Sequence, residues 1–243
     1  MSTTIDLDSL RAALPADAAQ ALGAMLTQIA ETPDSIGRLF PAAARRTARG
    51  DIGIRDASGH PVLAEDAVRV ALFEAAIGAL PAERCVSEVA ALYRFGDNDE
   101  KRAVLLGMAE VDSAAATDVL EDALRTNDTR LIGAAMGAPA AHLDDDTWRQ
   151  GVLKCLFVGV SLSAVADLDA RADQQLADMI ARYAHERIAA GRAVPVEVWQ
   201  VLDRFPSSIA LADIDAELSS AHPDRREAAQ RLLAGRPTTT REV

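Results

Sequence analysis

The feature that most limits what this chain can fold into is the run from Trp148 to Leu162, WRQGVLKCLFVGVSL, which is apolar around nearly the whole of a helical wheel. At about 100° per residue, Trp148, Val152, Cys155 and Leu156 share one side and Leu153, Phe157 and Val160 a second, while Gln150, Lys154 and Ser161 form one narrow polar stripe. Such a helix is expected inside a helical fold, with other helices on most of its faces. Asp144-Asp145-Asp146-Thr147 supplies an N-cap and places negative charge at the positive end of the helix dipole.

The rest of the chain repeats this grammar: a turn residue, then Pro or an acid, then apolar residues spaced three and four apart. Pro15 opens a helix carrying Leu22, Met25 and Ile29, Ala64 to Leu80 reads as another, and Pro81 precedes one bearing Val86, Val89, Leu92 and Phe95. Asp97 with Glu100 forms a capping-box pattern. A long helix is expected from Asp169 to Ala190, closed by Gly191, and further helices over Pro195 to Phe205, Ser207 to Ser219 and Pro223 to Ala234. With 4% aromatics and abundant Ala and Leu, the composition suits close-packed helices and essentially no sheet. The fold class is all-α. The triplets Asp97-Asn98-Asp99 and Thr126-Asn127-Asp128 resemble the turn-then-helix openings of a HEAT-like α-solenoid, with an irregular helical bundle as the rival architecture. One domain is expected over residues 1–235. Within it, residues 32–61 form an irregular segment with short helices around Ser35 to Leu39 and Pro41 to Thr47, and residues 236–243 form a disordered tail.

A net charge of -12, from 37 acidic and 25 basic residues without a basic stripe, points away from nucleic acid. Cys85 and Cys155 lie in apolar helical patterns without a Cys/His cluster, which fits a reduced, cytoplasmic setting. Neither a signal peptide nor a membrane-inserting span is expected. No Gly-rich phosphate loop, GxSxG or HExxH occurs, so no cofactor is expected and whether a reaction is catalysed stays open.

Five residues stand out as ligand-binding candidates: Trp148, Gln150, Lys154, Tyr183 and Arg187. Lys154, one of two lysines, is either an ammonium in a pocket or a snorkelling side chain at the edge of the polar stripe. Arg187 falls on the apolar face with Met179, Ile180, Tyr183 and Ala184. It needs a partner there, either a ligand carboxylate or phosphate held bidentately or a loop carbonyl or protein acid. Trp148 and Tyr183 would cover the apolar part of a ligand or simply fill the core. His185 falls opposite, with Asp178, Ala181 and Arg182, and is expected in solvent; His142 beside Asp144 to Asp146 matches no metal spacing.

The elements Trp148-Arg149-Gln150 with Val152-Leu153-Lys154, Phe157-Val158-Gly159, Tyr183-Ala184-His185-Glu186-Arg187, and Trp199 with Phe205 resemble the EboA family, small helical proteins of bacterial metabolite clusters. The resemblance is good over Gly137 to Phe205 and looser over Leu92 to Asp128. The chain departs from it where Gly137 to His142 replace an Asn-Pro-Tyr element found in many members. It implies an accessory protein that works beside neighbouring enzymes in making or moving a secondary metabolite, binding a small molecule or a partner protein of a biosynthetic cluster. It transfers no catalytic residue. An enzyme of the same pathway, with a pocket near Lys154, Tyr183 and Arg187, is the alternative.

Overall fold

The computed structural model describes residues 5–56, 59–108 and 113–237. Residues 238–243 of the expected tail lie outside the described residues. The chain divides into two compact units, residues 1–148 with 163–166 and residues 149–162 with 167–243.

Unit 1 begins with α1 (Leu7–Ala13), whose first turn is capped by Asp6 accepting from the Ser9 amide at 2.9 Å. Pro15 then opens α2 (Ala16–Glu31), which buries Leu22, Met25 and Ile29 as their spacing predicts. Where two short helices are expected, a single one forms, α3 (Ile36–Arg46). Pro41 sits inside it, costing one backbone bond while Leu39, Phe40 and Ala43 still turn into the core. The irregular segment also holds a small sheet that the composition did not announce. Strands β1 (Asp51–Arg55) and β2 (Pro61–Leu63) pair antiparallel, with Asp51 opposite Leu63 and Arg55 opposite Pro61. Strand β2 runs straight into α4 (Ala64–Ala79), and the Gly50 amide donates to Glu65 Oε2 at 2.7 Å, tying the start of the hairpin to the first turn of the helix.

The remaining helices of unit 1 are α5 (Ala82–Phe95), α6 (Asn98–Gly107), α7 (Ser113–Arg125) and α8 (Thr129–Met136). Helix α4 packs on α3 and α6, α6 on α8, and α5 on α7. On α5 the buried face is Val89, Leu92 and Tyr93, leaving Val86 41% and Phe95 81% exposed, so the expected stripe was rotated from the one that packs. The expected capping box closes α6: Asp97 accepts from the Glu100 amide and Glu100 Oε2 from the Asp97 amide. Asp128 caps α8, so the caps fall at different places in the two similar triplets. The two helix starts are cross-linked, Asn98 Nδ2 donating to Asp128 Oδ2 and Arg130 Nη1 to Asp99 Oδ1, both at 2.9 Å.

The division between the units falls inside α9 (Asp145–Val158), after Trp148. Asp144 caps this helix, accepting from the Thr147 amide at 2.7 Å. Helix α9 is less enclosed than its composition suggests, for Gln150 is exposed and Phe157 is 66% exposed. In unit 2 the expected helix from Asp169 is two elements, α10 (Leu168–Arg171) and α11 (Gln174–Ala189). The break comes at Asp173, which takes an extended backbone and accepts from the Leu176 amide, acting as an N-cap rather than an interior residue. Helix α11 is the one the others gather on. It contacts α12 (Trp199–Leu202), α13 (Pro206–Ile209), α14 (Ile214–Leu218) and α15 (Pro223–Ala234). Trp199 is buried and its indole Nε1 donates to the Leu232 carbonyl at 3.0 Å, joining α12 to α15. Apart from the one hairpin, the described residues form an all-α helical bundle. None of their helices is long and apolar enough to cross a membrane.

Two glycines give opposite tests of this packing. A Cβ on Gly23 in α2 would meet nothing within 4 Å, so Gly23→Ala is expected to stabilise by about 0.5–1 kcal/mol through backbone entropy. A Cβ on Gly107 would lie 2.7 Å from Phe73 Cδ1, and that ring is fully buried, so Gly107→Ala is expected to cost about 1–3 kcal/mol despite alanine's helix propensity. Urea unfolding of the two variants measures both signs.

Candidate functional site

The candidate residues of unit 2 are organised by two helix ends. Helix α9 stops where Gly159 takes φ 81°, and the amides of Gly159 and Val160 both donate to the Cys155 carbonyl at 2.9 Å. That leaves the Leu156 carbonyl in the last turn without an intrahelical donor. Tyr183 of α11 supplies one, its hydroxyl donating to Leu156 O at 3.2 Å, so a phenol from one helix caps the end of the other. Helix α11 itself ends at Ala189. Gly191, at φ 64°, turns the chain back so that the Arg192 amide reaches Arg187 O and its own amide reaches Ile188 O, both at 2.8 Å. This return brings the Ala193 carbonyl to Arg187, whose Nε donates to it at 2.7 Å. The guanidinium carbon lies 5.8 Å from the centroid of the Tyr183 ring.

Arg187 is thus held at one nitrogen by a loop carbonyl and on one face by an aromatic ring. Its two terminal amino groups bond to none of the described residues. Of the expected set, the structure brings Tyr183, 9% exposed, and Arg187, half-buried, into one unit of geometry. Gln150 and Lys154 lie along α9 on the side that also carries the exposed Phe157. Gln150 is exposed and Lys154 half-buried. Trp148 is 1% exposed and belongs to the core of unit 1. His185, expected in solvent, is half-buried and its Nδ1 is enclosed without a hydrogen-bond partner.

Two polar ties escaped the sequence because their partners lie far apart in it. Arg149 binds Asp173 through Nε, at 3.1 Å from each carboxylate oxygen, and through Nη2 at 2.5 Å. The cap of α11 is therefore also the ion-pair partner of α9. Glu197 Oε1 accepts from Ser161 Oγ at 2.6 Å and from the Leu162 amide at 3.2 Å, fixing the segment after α9. A signal existed in the acid at Glu197, but nothing in the pattern points it at Ser161.

Burial pushes the Cys155 thiol up to about 12, and the Glu197 carboxylate adds to the rise. Burial also raises the Tyr183 phenol, against a smaller opposing effect of Arg187. Both groups stay neutral at pH 7 and neither is an activated nucleophile. Among the described residues no group of three or more His, Cys, Asp or Glu is placed to hold a metal ion.

The Arg149 guanidinium bonded to Asp173 holds that carboxyl below its ordinary 3.8, with the Leu176 amide assisting. A depressed carboxyl contributes stability that is present above the unfolded value and lost as pH falls through the folded one. Asp173→Asn keeps an N-cap acceptor but removes the charge and one of the two oxygens that accept from Arg149. The stability gap between wild type and this variant is therefore expected to be widest at neutral pH and to close below about pH 4, read by chemical denaturation across pH 7 to 3.

The family model described as metabolite traffic protein EboA matches residues 84–203. No curated protein and no solved structure matches the chain. The matched stretch runs from α5 through α12 and contains Trp148, Gln150, Lys154, Tyr183 and Arg187. Over residues 84–203, then, the chain is similar to the EboA family.

Proposed function

We propose that this protein is an accessory factor in the production or trafficking of a bacterial secondary metabolite, acting in the cytoplasm. In this reading it binds a small molecule bearing a carboxylate or phosphate at Arg187, or the same group on a partner enzyme of the biosynthetic cluster. The observation that carries the reading is the state of Arg187, a cation fixed by Ala193 O and the Tyr183 ring whose terminal nitrogens bond to none of the described residues, inside the family-matched stretch. A guanidinium held in this way loses little freedom when it takes a planar anion bidentately. Tyr183 supplies an apolar face beside it, and Gln150 and Lys154 are the further polar residues assigned to the site. The net charge of -12 favours a metabolite or protein partner over nucleic acid. The neutral thiol and phenol favour binding over catalysis. The helix order α4, α6, α8 in one row and α5, α7 in another supports a HEAT-like arrangement within unit 1.

Titration calorimetry of the full chain with phenyl phosphate and benzoate tests the site. Arg187→Met is expected to lower affinity for both by about tenfold or more while holding the melting temperature, since the replacement removes charge without opening a cavity. Lys154→Met is expected to weaken binding to a smaller extent. Equal affinity in wild type and Arg187→Met would remove Arg187 from the site.

A further inference from the structure

Helix α3, which lies outside the family-matched stretch, carries a face on which positive charge gathers with no acid to meet it. Its apolar side, Ile36, Leu39, Phe40, Ala43 and Ala44, is buried, while Arg38 and Arg45, seven residues and about 10 Å apart along the axis, are exposed on one line of the helix. Arg46 ends the helix and Arg49 follows its C-cap at Thr47, both exposed. The sequence shows only the pair Arg45-Arg46, and the winding of the helix brings Arg38 onto the same side.

Among the described residues these four guanidiniums make no hydrogen bond, ion pair or ring contact. Exposed arginines on other helices are paired, Arg11 with Asp8, Arg125 with Glu121 and Arg231 with Glu227. In an acid-rich chain α3 contains no acid at all. The acids nearest to it in sequence are engaged elsewhere, Asp34 with Arg84 and Asp51 with Arg55. Glu65, which accepts from the Gly50 amide beside Arg49, is buried. The helix dipole accounts for Arg45 and Arg46 in the last turn, but it works against Arg38 in the first turn and does not reach Arg49 beyond the end.

We propose that this face docks the protein electrostatically on an anionic membrane surface, without insertion. Gly37 and Pro41, the exposed neighbours of Arg38, are short, so the guanidiniums stand furthest out and reach a flat array of lipid phosphates together. The exposed large apolar residues Val86, Phe95, Phe157, Val196 and Leu211 all lie off α3. The face therefore lacks an apolar anchor for a protein partner and an aromatic platform for single-stranded nucleic acid. The apolar side of α3 is committed to the core, which leaves charge as the means of attachment. A net charge of -12 does not oppose this, because screening over about 8 Å at physiological salt lets the nearest charges decide.

The test mixes the full chain with vesicles of phosphatidylcholine alone or with about 30% phosphatidylglycerol, and measures the sedimented fraction against lipid concentration. Saturable binding to the anionic vesicles is expected, absent from the neutral ones and lost at about 1 M salt, where the screening length falls to about 3 Å. Each arginine replaced is expected to weaken binding about fivefold, so Arg38→Gln with Arg49→Gln costs more than about tenfold and all four changes to Gln bring it to background. Arg125→Gln removes the same charge from α7 and is expected to leave binding unchanged, which separates the face from the total charge. Melting temperatures report whether the variants are folded, and the double variant decides if the quadruple one is not. Absence of saturable binding, equal binding to neutral vesicles, full binding in the double variant or an equal loss in Arg125→Gln would each overturn the proposal. So would tighter binding, through the same arginines, of a random-sequence DNA duplex or of polyglutamate at an equal concentration of negative charge.

Discussion

A guanidinium taken out of water must be matched by charge and by hydrogen bonds, and unit 1 holds two such groups, Arg69 and Arg102, the second paired through Nη2 while its buried Nε has no hydrogen-bond partner. Arg69 of α4 is 2% exposed. Its Nε donates to the Phe40 carbonyl at 3.3 Å, its guanidinium lies 5.9 Å from the Phe40 ring centroid, and Nη2 is 3.8 Å from Glu100 Oε1. Glu100 is at the same time the carboxylate that closes the capping box of α6. One acid therefore satisfies both the start of one helix and the buried cation of another. Arg102 repeats the arrangement in the reverse direction, reaching from α6 to Asp66 of α4. Removing one member of such a set strands the other in low dielectric, at about 3–5 kcal/mol for a buried pair, far more than the pair contributes over an apolar substitute. These contacts favour the register in which α4 and α6 pack with each charge beside its partner. The exposed continuation to α8, through Asp99, Arg130 and Asp128, is worth much less per pair because water competes for it.

In unit 2 the same physics works closer to solvent and leaves something over. Helices α9 and α11 are joined by Arg149 with Asp173 and by Tyr183 with the Leu156 carbonyl, and in each tie one partner lies at a helix end where backbone groups lack partners. Arg187 is fixed by the loop that follows Gly191, yet that loop offers only one carbonyl to a group with five donors. The turn leaves the terminal nitrogens of this half-buried cation with no bond to the described residues. A residue in that condition is where an external anion gains most, because the protein has already met the cost of orienting it.

Helix starts and stops were the most legible part of the sequence. Pro15, Asp97 with Glu100, Asp144 and Gly191 act in the structure as their chemistry requires. What could not be read was which of two adequate local solutions the tertiary structure would select. Asp173 is acceptable inside a helix or as a cap, and the Arg149 guanidinium beside it favours the cap. Phe157 fits an apolar stripe but stays outside, since helical spacing alone does not fix which face packs. The hairpin was masked by Gly50, Gly53 and Gly59, whose positive φ angles are what let the chain turn, although Ile52 and Ile54 alternate as a strand should. The buried charges of α4 were visible as letters in AEDAVRVALFEAA, but their partners on α6 are some thirty residues away and belong to no local pattern. The contact of Tyr183 with Arg187 was legible because residues four apart on a helix share a face, whereas the Ala193 carbonyl depended on a turn that only the fold makes.

The central claim is that Arg187 is a binding cation, oriented by the fold and completed from outside. Native mass spectrometry of the full chain, purified rapidly from a metabolite-producing bacterial host and compared with Arg187→Met purified in the same way, addresses it directly. The account predicts a retained small-molecule mass on the wild-type chain that vanishes from the variant, with identical charge-state distributions reporting an unchanged fold. A wild-type chain of bare mass, or the same adduct on both proteins, would contradict it.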